Sequence, residues 1–179
     1  MIIKEHRTIF VHIPKNAGTS IEEYFGNSSF VIQPNKHDDI HQIKRKFPEL
    51  CKIYRKFTII RNPYDKMVSY YFYLKRNLGE NYNIIDFNEW IKDPSKFWHA
   101  DDPISYLKPQ HEWIDDAVEI IKFENINKEL NDFFGEEIDL PIVNKSNHNH
   151  YSDYYNEESI DIIYDRYKED FEKFNYKKI

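Results

Sequence analysis

Only one cysteine, Cys51, occurs in the 179 residues. That excludes an internal disulfide and a thiolate metal site of the usual kind, since structural zinc recruits several cysteines or a compact Cys/His set. A reducing compartment is expected. Eight histidines are present, none in HExxH spacing, so no catalytic metal is expected. No run approaches the roughly 20 apolar residues that a membrane-spanning helix needs. Met1 to Arg7 contain no long apolar stretch before a strand pattern starts at Thr8, so no leader peptide is expected and a cytoplasmic location is. Internal repeats and low-complexity tracts are absent as well. What is there is a chain with 40% hydrophobic and 17% aromatic residues. It can bury one sizeable core and is too short for two ordinary domains, so a single domain over 1–179 is expected.

The net charge of −6 argues against a general nucleic-acid binder, but the charge is uneven. Residues 42–76 carry ten Lys/Arg against Glu49 and Asp65, a local +8, whereas 112–140 carry ten Asp/Glu against Lys122 and Lys128, a local −8. A concentrated basic third in an acidic protein suits a polyanionic ligand held in one place. A solvated basic helix face from Gln42 to Lys56 is the plainer account of most of those lysines.

The pattern along the chain alternates strands and helices. Thr8 to Ile13 reads as a buried strand stopped by Pro14, and Thr19 to Gly26 as a helix with a capping hydroxyl. Phe30 to Ile32 reads as a short strand, and about Asp38 to Phe47 as a helix. Phe57 to Ile60 is a third strand, followed by a helix from Pro63 to about Arg76. Val118 to Phe123 and Asn125 to Phe134 repeat the alternation. Glu157 to Phe174 spaces Ile160, Ile163, Tyr164, Tyr167, Phe171 and Phe174 as one amphipathic closing helix. The expected class is α/β, with a mainly parallel sheet flanked by helices.

The strongest chemical signal is the strand–loop–helix unit His12-Ile13-Pro14-Lys15-Asn16-Ala17-Gly18-Thr19-Ser20. A glycine lets amides approach an oxyanion, a helix N-terminus offers unpaired N–H groups, and lysine adds a full charge. Thr19 and Ser20 add hydroxyl donors. An ordinary strand-to-helix turn with a surface lysine is the plainer alternative. The order differs from GxxxxGK[ST], because the lysine precedes the glycine and a second glycine is missing. The loop therefore suits one phosphoryl-type group better than a magnesium triphosphate.

Residues 12–20 resemble the first motif of the carbohydrate-type, Golgi-like sulfotransferase family. Arg61-Asn62-Pro63-Tyr64-Asp65-Lys66-Met67-Val68-Ser69 resembles its second. The likeness continues through Pro109-Gln110, Lys122 to Asn125, Asn144-Lys145-Ser146 and the segment from Asp170 to Tyr176. The resemblance implies a P-loop-like fold and transfer of a sulfuryl group from 3′-phosphoadenosine 5′-phosphosulfate to a hydroxyl or amine, with a small-molecule or carbohydrate acceptor as partner. It implies that the 5′-phosphate lies on Lys15, Asn16, Ala17, Gly18, Thr19 and Ser20, and the 3′-phosphate on Arg61 and Ser69, with Lys145 adding charge. An arginine at the C-terminal end of a strand also suits a phosphate on its own account, through its planar fork.

The catalytic pair expected is Lys15, which offsets charge on the leaving oxygen, and His37, which takes the acceptor proton. His41 is the next candidate base. His12 and His111 stand further out, with His12 bracing the loop, and Gln110 and Trp113 are weaker candidates for the acceptor side. The competing readings are a P-loop-like nucleotide kinase and a noncatalytic nucleotide-binding module.

Overall fold

The computed structural model describes residues 1–26, 31–32, 35–78, 85–96, 103–143 and 148–179. In chain order the elements are β1 (Ile2–Ile3), β2 (Thr8–Val11), α1 (Gly18–Gly26), β3 (Val31–Ile32), α2 (Ile40–Lys46), α3 (Pro48–Ile53), β4 (Arg55–Ile60) and α4 (Pro63–Leu78). Then come α5 (Phe87–Trp90), α6 (Pro103–Leu107), β5 (Glu119–Lys122), α7 (Ile126–Phe134), α8 (Glu157–Arg166) and α9 (Lys168–Phe174), with short 3-10 turns between them. They fall into two compact units, Met1–Arg61 with Gln110–Asn144, and Asn62–Pro109 with Lys145–Ile179.

The first unit is built on one sheet in the order β3-β1-β2-β4-β5. The three longer strands run parallel, with Phe10 opposite Phe57 and Ile59 opposite Ile121. The two-residue strands β1 and β3 add antiparallel pairings at one edge. Every residue of β2 is buried, as expected of a strand covered on both faces. Ile21 and Phe25 of α1 and Leu130 and Phe133 of α7 join Phe10, Phe57, Ile59 and Ile121 in one core. This is the α/β sheet flanked by helices that the alternating pattern predicts. β1 is not predicted.

The basic stretch resolves into two helices. Asp39 caps α2 through a capping box with Gln42, and Phe47 ends it before Pro48 opens α3. Its lysines are largely matched locally. Lys44 pairs with Asp115, Lys46 Nζ lies 2.5 Å from Asp38 Oδ2, and Lys52 Nζ lies 2.7 Å from Glu49 Oε1.

The second unit is helical and aromatic. Tyr64, Tyr70, Tyr71 and Leu74 of α4 bury against Phe87, Trp90, Ile163, Tyr167 and Phe171. The hydroxyls reach backbone carbonyls, Tyr64 to Ile160 at 3.2 Å, Tyr71 to Ile85 at 3.0 Å and Tyr155 to Tyr64 at 2.8 Å. Lys66, on the same helix, is 1% exposed and donates to the Lys108 carbonyl at 3.2 Å. Burial pulls its ammonium down to about 8, with buried Asp170 pulling the other way. The closing segment is not the single helix that its stripe predicts. It breaks at Tyr167, whose backbone (φ −117°, ψ 25°) leaves the helical region while its hydroxyl donates to the Leu107 carbonyl at 3.0 Å. A 3.6-residue repeat carries through such a break, because the aromatic residues on both sides still face one core.

Candidate functional site

β2 ends at Val11, and the chain passes through His12, Ile13 and Pro14 into a loop whose backbone is under strain. Lys15 (φ 69°) and Ala17 (φ 58°) both occupy the left-handed region. That region costs a non-glycine residue on the order of 1–2 kcal/mol and is seldom used twice in three residues without a compensating role. Alternating left- and right-handed residues turn successive amides inward, which is the geometry of an anion-binding concavity. The loop feeds directly into α1, whose first amides, those of Gly18 and Thr19, have no intrahelical acceptor. Ser20 differs, since its N–H donates to the Ala17 carbonyl at 3.0 Å and its Oγ accepts from the Val143 amide at 3.3 Å.

Gly18 is required here for space. A methyl at its α-carbon would lie 1.9 Å from His12 Nε2, so the imidazole packs directly on the backbone that opens α1. His12 is 5% exposed and stacks on Phe10, with ring centroids 5.6 Å apart. Its Nδ1 lies 2.9 Å from Glu22 Oε1, and Glu22 Oε2 accepts from Lys36 Nζ at 2.7 Å. Burial pushes the imidazole down to about 4, against the pull of Glu22. Burial would raise Glu22, but the hydrogen bonds from His12 and Lys36 outweigh it and bring the carboxyl down to about 2. A neutral imidazole beside a carboxylate must carry its proton on Nδ1, which leaves Nε2 bare.

Asn16 is 1% exposed. Its Nδ2 donates to the Ile59 carbonyl at 2.8 Å and to Gln110 Oε1 at 2.7 Å. Gln110 is fully buried and clasps Arg61 on both sides, accepting from its N–H at 2.9 Å and donating to its carbonyl at 2.8 Å. These partners leave one consistent orientation for both amides. Gln110, weighed from the sequence for the acceptor side, instead ties the loop to the end of β4. A lone glutamine after a proline has no periodic pattern to disclose such a role.

Arg61 is 8% exposed at the C-terminal end of β4. Its guanidinium lies over the Phe123 ring at 4.2 Å, and its Nη1 donates to the Lys15 carbonyl at 3.1 Å. The loop and the end of β4, where the sequence places its candidate anion-binding residues, are thus bonded neighbours in one unit. His37 joins them. Its ring meets the His12 ring edge-on at 4.9 Å and the Trp113 ring at 6.5 Å, and its Nδ1 lies 3.5 Å from the His12 carbonyl. His41 is exposed on α2, and His111 is half-buried in the turn Gln110–Trp113. Ser69 is buried on α4, in the second unit. Lys145, with Asn144 and Ser146, lies outside the described residues.

The sulfotransferase family model matches residues 1–128, which span the loop, Arg61, His37 and Gln110. The chain belongs to the sulfotransferase family. Sulfotransfer is therefore its class of chemistry. No curated protein and no solved structure matches the chain. Among the described residues no three His, Cys, Asp or Glu side chains cluster as metal ligands would, and no helix is long and apolar enough to cross a membrane.

Proposed function

We propose that this sulfotransferase uses 3′-phosphoadenosine 5′-phosphosulfate as donor and sulfates a hydroxyl or amine on a small or carbohydrate-like acceptor. The observation that carries the reading is the Arg61 to Lys15 hydrogen bond of 3.1 Å, which makes neighbours of two cationic, donor-rich elements. A ligand with one anionic group could be held by the loop alone; a second cation beside it suits a nucleotide with two. The residues present fit such a donor. The left-handed Lys15 and Ala17 shape a concavity of amides, and Gly18 and Thr19 open α1 toward it. We assign the 5′-phosphate to Lys15, Ala17, Gly18, Thr19 and the Ser20 hydroxyl. Asn16 supports the loop through its amide, and the 3′-phosphate falls to Arg61, with Ser69 and Lys145 as further contacts.

The donor supplies a transferable sulfuryl group whose departure leaves negative charge on a phosphate oxygen. Lys15 stabilises that charge more in the transition state than in the ground state, which is what lowers a barrier. His37 acts on the acceptor. Its Nδ1 lies 3.5 Å from the His12 carbonyl, and we assign to its Nε2 the proton from a hydroxyl or amine. No metal has a part in this proposal, and a cytoplasmic site of action accords with the single, buried Cys51 thiol.

The test has two stages. 3′-Phosphoadenosine 5′-phosphate should raise the melting temperature more than ADP or AMP does; equal shifts would remove the 3′-phosphate site. Radiolabelled sulfate transfer should then be screened across sugars, lipids and peptides. Tight nucleotide binding with no transfer to any of them would favour a noncatalytic binding module.

A further inference from the structure

Glu22 lies in the second turn of α1, with its side chain 18% exposed, and does two things at once. One carboxylate oxygen holds His12 Nδ1 at 2.9 Å, and the other holds Lys36 Nζ at 2.7 Å. His12 is the residue whose carbonyl faces His37 Nδ1 and whose ring meets the His37 ring. Lys36 is the residue immediately before His37. A single carboxylate therefore grips the proposed base from both directions, through the side chain that packs against it and through the backbone that carries it.

We infer that Glu22 is a positioning residue, which fixes the orientation and the tautomer of His37 by anchoring His12 and Lys36 together. The inference rests on His37 being the base, and it adds what makes that histidine usable. An imidazole free to rotate presents a protonated nitrogen to the acceptor about as often as a bare one; a held imidazole presents the bare one. The ion pair with Lys36 contributes little to stability, because Lys36 is half exposed and such pairs are worth about 0–1 kcal/mol. Its effect is geometric. The carboxylate stays ionised and the His12 imidazole neutral across the working range, so the grip holds wherever the enzyme would act.

Histidine side-chain nitrogen spectra of 15N-labelled protein test this without any acceptor. The native protein should show His12 and His37 each as one tautomer, protonated on Nδ1. Glu22→Gln keeps an acceptor for His12 but gives up the Lys36 pair, and Lys36→Met breaks the same pair from the other end. Both should leave His12 unchanged and turn His37 into a tautomer average. Glu22→Ala should average both rings. A His37 that keeps one tautomer in Glu22→Ala overturns the inference.

In turnover, Glu22→Gln should lower kcat about tenfold, a fraction of the 10²–10⁴ that a positioned base contributes. Affinity for 3′-phosphoadenosine 5′-phosphate should stay within about twofold, as befits a group acting on the base. A parallel loss of that affinity would mean that Glu22 merely supports the phosphate loop, and would also overturn the inference. Should His37→Ala leave turnover intact, the assignment of the base fails, while the spectra still decide whether Glu22 holds the ring.

Discussion

The two units bury polar groups to opposite ends. In the aromatic unit tyrosine hydroxyls close on backbone carbonyls, Tyr71 on Ile85 and Tyr167 on Leu107, and hold large rings in one place. In the sheet unit four buried polar residues gather at one loop: Asn16, Gln110 and Arg61 are bonded in series, and His12 backs Gly18. The first arrangement pins a core. The second holds two left-handed residues in a conformation they would otherwise leave. Polar burial serves stability in one unit and the shape of a site in the other.

The largest loss is expected on the aromatic side. Phe171→Ala removes a ring that is 2% exposed and packs on Tyr64 at 5.1 Å. It should destabilise by about 4 kcal/mol in denaturant melts, the usual loss for a large buried ring. A loss below about 1 kcal/mol would show that this core is loosely packed.

Acid should discriminate next. The folded pKa of His12 is depressed to about 4 from the ordinary 6.5, so the unfolded chain binds the extra proton in between. Stability should then fall as pH drops from 6.5 to 4, by on the order of 3 kcal/mol. Glu22, depressed to about 2, withdraws its share only below 4.5. The buried Met1 amine, lowered to about 5, adds slope between pH 8 and 5. Thermal melts of His12→Gln, which keeps an N–H for Glu22, should be flatter between pH 6.5 and 4.5. Unchanged slope would refute a buried neutral His12.

Gly18→Ala places a methyl on the His12 ring and should cost about 2 kcal/mol, within the range for overpacking. His12→Ala in the same chain should recover part of that loss, which a general helix effect could not explain. Smallest in stability but sharpest for the site, Arg61→Ala should weaken 3′-phosphoadenosine 5′-phosphate by about 1.5–3 kcal/mol, or ten- to a hundredfold, in calorimetry. Unchanged affinity would reject Arg61 as a phosphate ligand.

The loop and the arginine were legible because their residue types sit at the punctuation of the fold, between a strand and a helix, where Pro14, Gly18 and Pro63 mark the breaks. α7 was legible for a similar reason, its end being set by Gly135 in the left-handed conformation. Gln110, Glu22 and the left-handed Lys15 and Ala17 were not legible. Their roles depend on what tertiary structure brings alongside them, Gln110 reaching Asn16 across 94 positions in the chain. The break at Tyr167 was hidden because burial keeps its period where the backbone does not.

Lys66 gives the helical unit a built-in chemical clock. A side chain 1% exposed meets an acylating reagent only when the core parts. The rate at which that single lysine is labelled in the native protein would count the openings of the aromatic core, one molecule at a time.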